Sequence, residues 1–133
     1  MRQFFLRMFL CGIVLAVVAS IVIIAQGNPE AAKVKNPVDS TPESVAAGKQ
    51  IYTRYCAVCH GINAKGGSGS DISPPAPDLT DDEWTHGSTD GEIFDVIKNG
   101  VKPDLSMEPW GDRIKEPDIW NIVNFLRSLG TKK

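Results

Sequence analysis

Apolar residues are concentrated at the N-terminus, where residues 8–25 read MFLCGIVLAVVASIVIIA, a run of 18 residues without a charge. A helix needs about 20 such residues to cross the hydrocarbon core of a bilayer. Arg2 and Arg7 precede the run, and basic residues in this position keep the N-terminus in the cytoplasm. The pattern predicts a transmembrane anchor over residues 1–25 that exports the rest of the chain. A cleaved signal peptide is the alternative, although its apolar region usually runs only about 7–15 residues.

The next segment has no apolar periodicity. Residues 26–40 read QGNPEAAKVKNPVDS, with two prolines and charges of both signs. This composition predicts a linker, which as a flexible coil would extend about 20 Å. Packing of the segment on the surface of the following domain is the alternative.

Residues 41–133 form the body of the chain, and apolar residues recur there at helical spacing in three places. These patterns predict helices over residues 41–56, 89–100 and 116–130. Thr41 followed by Pro42 is typical of a helix start, and Thr89 with Glu92 forms a Thr-x-x-Glu capping box. No stretch alternates with period two for long enough to predict a strand. The fold class predicted for the body is therefore all-α.

Charge and size narrow the function. The 133 residues carry a formal charge of −2, which divides into +2 on residues 1–27 and −4 on the rest. An acidic body argues against nucleic-acid binding, which usually requires a basic patch. Three short helices with long polar loops make a small core, so we expect a disulfide, a metal or a large apolar cofactor to stabilise the body.

The cysteines of the body indicate that the stabilising group is a cofactor. Cys56, Cys59 and His60 form a C-x-x-C-H motif, which in an exported protein is the attachment signature of haem c. On a helical turn Cys56 and His60 share a face, so two thiols can bond the haem while the imidazole points at the iron. A zinc site and a redox-active dithiol are weaker alternatives, because the further ligands of the first and the βαβ context of the second are absent. A simple Cys56–Cys59 disulfide is also weaker, because it closes too small a loop to stabilise much.

Haem iron takes a sixth ligand or keeps an open site. Met107 is the only methionine of the body and lies in a polar, proline-bearing loop rather than on a helix face. Ligation by histidine and methionine raises the reduction potential and leaves no position for a substrate, which predicts electron transfer. His86 is the competing ligand, although an exposed loop histidine is the commoner role for such a residue.

With these motifs, residues 41–133 resemble the class I cytochrome c family, especially its small, membrane-anchored bacterial members. Gly48 looks like the glycine of the family's N-terminal helix, which lets an aromatic residue of the C-terminal helix come close, and Phe125 matches that aromatic residue. The resemblance implies the class I cytochrome c fold, with helices wrapped around one covalent haem. One departure is Glu108, which follows Met107 where many relatives have proline.

The resemblance also implies roles for three further residues around the haem. Pro77 and Leu79 lie in a segment similar to the family's Gly-Pro-x-Leu. By that similarity the carbonyl of Pro77 would accept a hydrogen bond from His60, and Leu79 would pack on the haem. Trp110 follows the ligand loop as it does in the family and would form part of the haem wall.

The sequence thus predicts a mono-haem cytochrome c on the outer, periplasmic face of a bacterial inner membrane. It would carry single electrons between donor and acceptor redox complexes, with the membrane contacted through its N-terminal helix. No small-molecule substrate is expected, because no nucleophile, acid–base pair or open metal site predicts an enzyme. A haem-based sensor or ligand binder, and a fixed subunit of a larger respiratory or dehydrogenase complex, are the alternative functions.

Overall fold

The computed structural model describes residues 27–67, 73–103 and 105–130. A single 3₁₀ turn, Ala31–Lys33, precedes four α-helices. The helices are α1 (Pro42–Tyr55), α2 (Ala57–His60), α3 (Asp90–Asn99) and α4 (Glu116–Leu129). These ranges contain no strand, so the all-α prediction is confirmed for the described part of the chain. Among the same residues no helix combines the length and apolar character needed to cross a bilayer, and the predicted anchor lies outside them.

The helix boundaries follow from local hydrogen bonding. The side chain of Thr41 accepts a hydrogen bond from the backbone N–H of Ser44, so one free donor at the start of α1 is satisfied. At the start of α3, Thr89 and Glu92 form the predicted capping box in both directions. Helix α3 ends at Gly100, whose φ of 73° lies in the left-handed region that favours glycine.

Helices α1 and α4 cross with their backbones almost in contact. A Cβ atom on Gly48 would lie 1.9 Å from the carbonyl oxygen of Asn121, so only glycine permits this approach. Phe125, the aromatic residue expected at this crossing, lies beside Tyr52, one turn after Gly48 in α1. Phe125 packs on Tyr52, with ring centroids 5.2 Å apart. At Gly48 the close contact is therefore with the backbone of α4. The pair formed by Tyr52 and Phe125 continues the contact between the two helices.

Residues 27–40, most of the predicted linker, pack on the domain. Ala31 is buried, and a Cβ atom on Gly91 of α3 would lie 2.0 Å from its carbonyl oxygen. The side chain of Asn28 donates a hydrogen bond of 3.1 Å to Asp95. We call residues 27–40 the strap. Small residues and side-chain amides let this segment lie against α3 and α4, which is the packing that the sequence left open as the alternative to a flexible linker.

A buried asparagine joins the strap to the helix crossing. Asn124 is only 4% exposed, and its amide donates to the carbonyl of Val38 at 3.0 Å and to the hydroxyl of Ser44 at 2.8 Å. Its oxygen accepts a hydrogen bond of 2.8 Å from Asn36. Ser44 in turn donates to Asn121 at 2.7 Å. Because each buried polar group has a partner, this cluster fixes the strap without the cost of an unpaired amide.

Candidate functional site

The C-x-x-C-H motif occupies the junction between α1 and α2. Cys56 ends α1 and begins α2, and the short second helix carries the motif to His60. Tyr52 stabilises this junction, because its buried hydroxyl donates a hydrogen bond of 2.8 Å to the carbonyl of Gly61. Both motif cysteines are free, partly buried thiols. The helical turn predicted for the motif is thus the arrangement found.

Burial sets the charge state of the groups beneath the motif. The pKa of the Cys56 thiol is raised to about 12, first by desolvation and second by the neighbouring charge of Cys59. The pKa of Tyr52 is also raised to about 12, by desolvation and then by Cys56. At neutral pH both groups are therefore protonated, and the environment is one in which negative charge is disfavoured.

The imidazole of His60 is buried in the same environment. Desolvation lowers its pKa below 6.5, while the backbone of Pro77 acts in the opposite direction and raises it. The Nδ1 atom is buried and makes no hydrogen bond of ordinary geometry. The neutral imidazole is accordingly favoured, and this is the form in which histidine binds a metal.

The loop after His60 brings Pro77 to the imidazole. The backbone N–H of Gly66 donates to the carbonyl of His60 at 2.9 Å, and a Cβ atom on Gly66 would lie 2.1 Å from the carbonyl oxygen of Ala76. The φ of Gly66 is 70°, so both conformation and space require glycine there. Further along, Leu79 donates from its backbone to Ala64 at 2.8 Å. These bonds join the proline-rich loop to the motif.

The loop between α3 and α4 folds back on the C-terminal end of α3. The backbone N–H of Val101 donates to the carbonyl of Met107 at 2.9 Å, and that of Trp110 donates to Ile97 at 3.0 Å. The ring of Trp110 lies between Tyr55, with centroids 5.8 Å apart, and the guanidinium of Arg113, at 3.9 Å from the centroid. The loop is therefore held by backbone hydrogen bonds to α3 and by the packing of the Trp110 ring.

All seven residues predicted at the site line one cavity of about 530 Å³ with a mostly apolar wall. They are Cys56, Cys59, His60, Pro77, Leu79, Met107 and Trp110. His86, the competing ligand, lines it too. Sequence reasoning missed several apolar wall residues, namely Tyr55, Pro74, Val96, Val101, Ile122 and Leu126. The helical periodicity marked some of these as core positions, and only the fold shows that they face a cavity.

The donor set fits a large, mostly apolar cofactor that carries iron. Two free thiols offer covalent attachment, the neutral imidazole of His60 offers a nitrogen ligand, and Met107 offers a thioether sulfur. The apolar wall would exclude water from the faces of a planar ring. A haem c meets each of these conditions.

Solved structures agree with this assignment. Cytochrome cL from Methylophaga aminisulfidivorans aligns with a TM-score of 0.55 and 27% identity, over 70% of this chain and 55% of that one. A subunit of the reducing HAO-like protein complex of Kuenenia stuttgartiensis aligns with a TM-score of 0.64 over 74% of this chain and 50% of its own, but at 21% identity it shows only the fold. Fold and site together define a class I cytochrome c domain.

The sequence comparisons are more specific. A family model described as cytochrome c oxidase, cbb3-type, subunit III matches residues 43–126, and the chain belongs to this family. The subunit CcoP of Rubrivivax gelatinosus is 33% identical over 89 residues, which is 66% of this chain and 27% of the relative. The subunit FixP of Rhizobium meliloti is 37% identical over 93 residues, 65% of this chain and 30% of the relative. The chain thus spans less than a third of the length of these curated relatives.

Proposed function

We propose that this chain is a mono-haem c-type cytochrome that carries single electrons between membrane or periplasmic redox complexes. The observation that supports it best is the cavity, because two thiols, an imidazole and a thioether meet in one apolar space. In this proposal Cys56 and Cys59 attach one haem c, and His60 and Met107 ligate its iron.

Each residue of the cavity then has a distinct task. His60 would bind the iron with one nitrogen, and the buried Nδ1 would donate to the carbonyl of Pro77, the backbone group that already acts on it. That bond would fix the ring orientation. Leu79 and Trp110 would form apolar walls and keep water from the cofactor.

The bound haem would supply a site that accepts and releases one electron. The chain's part is to keep both ligands in place in the two oxidation states, since a fixed coordination lowers the reorganisation that accompanies transfer. With the sixth position filled by Met107 there is no place for a substrate. The domain alone would thus carry electrons without an enzymatic reaction of its own.

We further propose the domain organisation and location that the sequence predicts. Residues 1–25 would anchor the chain in a bacterial inner membrane, residues 26–40 would connect, and residues 41–133 would form the cytochrome domain on the periplasmic face. The redox partners would be the donor and acceptor complexes of a respiratory chain.

A second candidate is a fixed haem subunit of a respiratory oxidase. The family match favours it, because the curated relatives are named as subunits of cbb3-type cytochrome c oxidases. Purification in mild detergent separates the two candidates. A lone haem-bearing chain supports the carrier, whereas stoichiometric recovery with oxidase subunits supports the fixed subunit.

The haem assignment has a direct test in intact mass and haem staining of the purified chain. One covalent haem is expected in the wild type, and none in a variant that carries both Cys56→Ala and Cys59→Ala. The oxidised protein should show a sulfur-to-iron charge-transfer band that is lost in Met107→Ala, together with a lower reduction potential. Wild-type protein without that band, with rapid binding of carbon monoxide when reduced, would instead identify a ligand binder.

A further inference from the structure

Besides His60, the cavity is lined by one methionine and one further histidine. Met107 lines it from the loop after α3, and His86 lines it from the loop before α3. Thioether sulfur and imidazole nitrogen are both established ligands of haem iron. Each of the two side chains therefore carries an atom of the kind that can take the sixth position on an iron bound by His60.

The imidazole of His86 is not engaged elsewhere. It is exposed, and it makes no hydrogen bond or ion pair with any residue in the described ranges. No hydrogen bond between this ring and the described part of the protein would therefore have to break before one of its nitrogens binds another group. The nitrogens of His86 remain available for a bond to something within the cavity.

The loop that carries His86 is held on both sides by one arginine. The guanidinium of Arg127 lies 5.7 Å from the ring centroid of Trp84 and donates to the carbonyl of Ser88. The same group is fixed to α3 by a bond of 2.7 Å to Asp90. Arg127 thus joins the two ends of a short bridge, residues 85–87, that faces the cavity.

Gly87 adds a second constraint on this bridge. Its φ is 98°, and a Cβ atom there would lie 2.3 Å from the carboxyl carbon of Glu92. Glu92 is itself held by the capping box with Thr89. Consequently the position of His86 at the cavity is set by the packing of its neighbours rather than by any contact of its own.

The loop that carries Met107 is held differently. One backbone bond of 2.9 Å, from Val101 to Met107, fixes the residue, and Gly100 lies so close that a Cβ atom would be 2.6 Å from the Met107 carbonyl oxygen. These contacts fix the main chain at Met107 and leave the flexible thioether side chain to adjust. Loss of the sulfur would not disturb the loop that carries His86.

We infer that His86 is a replacement ligand, whose imidazole takes the sixth position on the iron when the thioether of Met107 is lost. The inference rests on the proposed haem site. In the exchange the sulfur–iron bond breaks and a nitrogen–iron bond forms from the lone pair of the neutral imidazole. No electron is gained or lost, and no other reactant is needed. Loss of Met107 would therefore leave the iron closed to external ligands.

The test compares ferric electron paramagnetic resonance and absorption spectra of purified, full-length haem protein. Met107→Ala is expected to be low-spin with the signature of two nitrogen ligands, and its reduced form to bind carbon monoxide slowly. Met107→Ala combined with His86→Gln should become high-spin and bind carbon monoxide at least ten times faster. Free imidazole added to this double variant should restore the low-spin spectrum, which shows that the cavity has remained intact.

Lys102 provides the matched control, because its amine is a basic nitrogen that shares a surface groove with His86. Met107→Ala with Lys102→Ala should remain low-spin. The inference is overturned if Met107→Ala alone is already high-spin, or if its low-spin spectrum survives His86→Gln. Haem staining of the wild type separates failure of the proposed function from failure of this inference. Absence of covalent haem overturns both. Haem present with either of the two contrary spectra overturns only the role of His86.

Discussion

The helix crossing and the cavity are built by opposite means, although both include side chains of α1. At the crossing, Gly48 admits the backbone of α4 and the buried amide of Asn124 is fully hydrogen-bonded. At the cavity, about 530 Å³ lies between the loops, and the buried Nδ1 atom of His60 makes no hydrogen bond of ordinary geometry. One region is completed by polypeptide. In the proposed function, a haem would fill the other.

The largest effect is expected when the cavity cannot hold its cofactor. The helices bury only a small core, so we expect the domain to depend on the proposed haem for much of its stability. We expect the variant Cys56→Ala/Cys59→Ala to lose most of its helical circular dichroism at 25 °C. Cys11→Ala, which removes the cysteine outside the described residues, should retain it. A fully helical double variant would show that the cavity side is stable by itself.

The next effect concerns the helix crossing. Gly48→Ala places a methyl group where it would lie 1.9 Å from the Asn121 carbonyl oxygen, so the helices must separate. We expect a loss of about 3 kcal/mol in the free energy of unfolding of the haem protein, measured with guanidinium chloride. Gly130→Ala is the matched control, because the nearest atom would be 3.7 Å away. Equal effects of the two changes would refute the close approach.

A smaller loss is expected from the polar cluster at the crossing. Asn124→Leu removes the partner of the Val38 carbonyl, the Ser44 hydroxyl and the Asn36 amide at once, so buried polar groups are left unpaired. The expected cost is about 2 kcal/mol in the same denaturation measurement. Asn99→Ala, which removes only an exposed bond to Asp95, should stay within about 0.5 kcal/mol of the wild type.

The smallest effect is expected at the start of α3, a helix that packs on α4 and also lines the cavity. Thr89→Ala breaks the capping box and removes a partner from Glu92, which is only 8% exposed. We expect a loss of about 1 kcal/mol. Thr41→Ala removes a single cap at the start of α1 and should cost less. A larger effect at Thr41 in thermal unfolding would contradict the importance given to the buried carboxylate.

The sequence was sufficient for features that have a local cause. The capping box at Thr89, the proline start of α1 and the end of α4 at Gly130 depend on residues a few positions apart. The C-x-x-C-H motif is local as well, and its residues proved to face the cavity.

Features made by distant residues could not be predicted in this way. The bond between Asn36 and Asn124 joins positions 88 residues apart, and neither asparagine has a local pattern that marks it. The requirement for glycine at Gly66 depends on the carbonyl groups of Ala76 and Pro77. The sequence therefore predicted a linker over residues 26–40, and it related the proline loop to the motif only through the family resemblance at Pro77.

The strap changes how far the domain can travel. A coil of its length would let the domain sweep a radius of about 20 Å around whatever it is joined to. With Ala31 buried against α3 and Asn36 bonded to α4, residues 27–40 move with the domain and contribute none of that radius. The chain then leaves the domain at Gly27, where a Cβ atom would lie 2.7 Å from the Cα of Gly87. With the proposed anchor over residues 1–25, the domain would thus be attached at the flank beside the loop of His86.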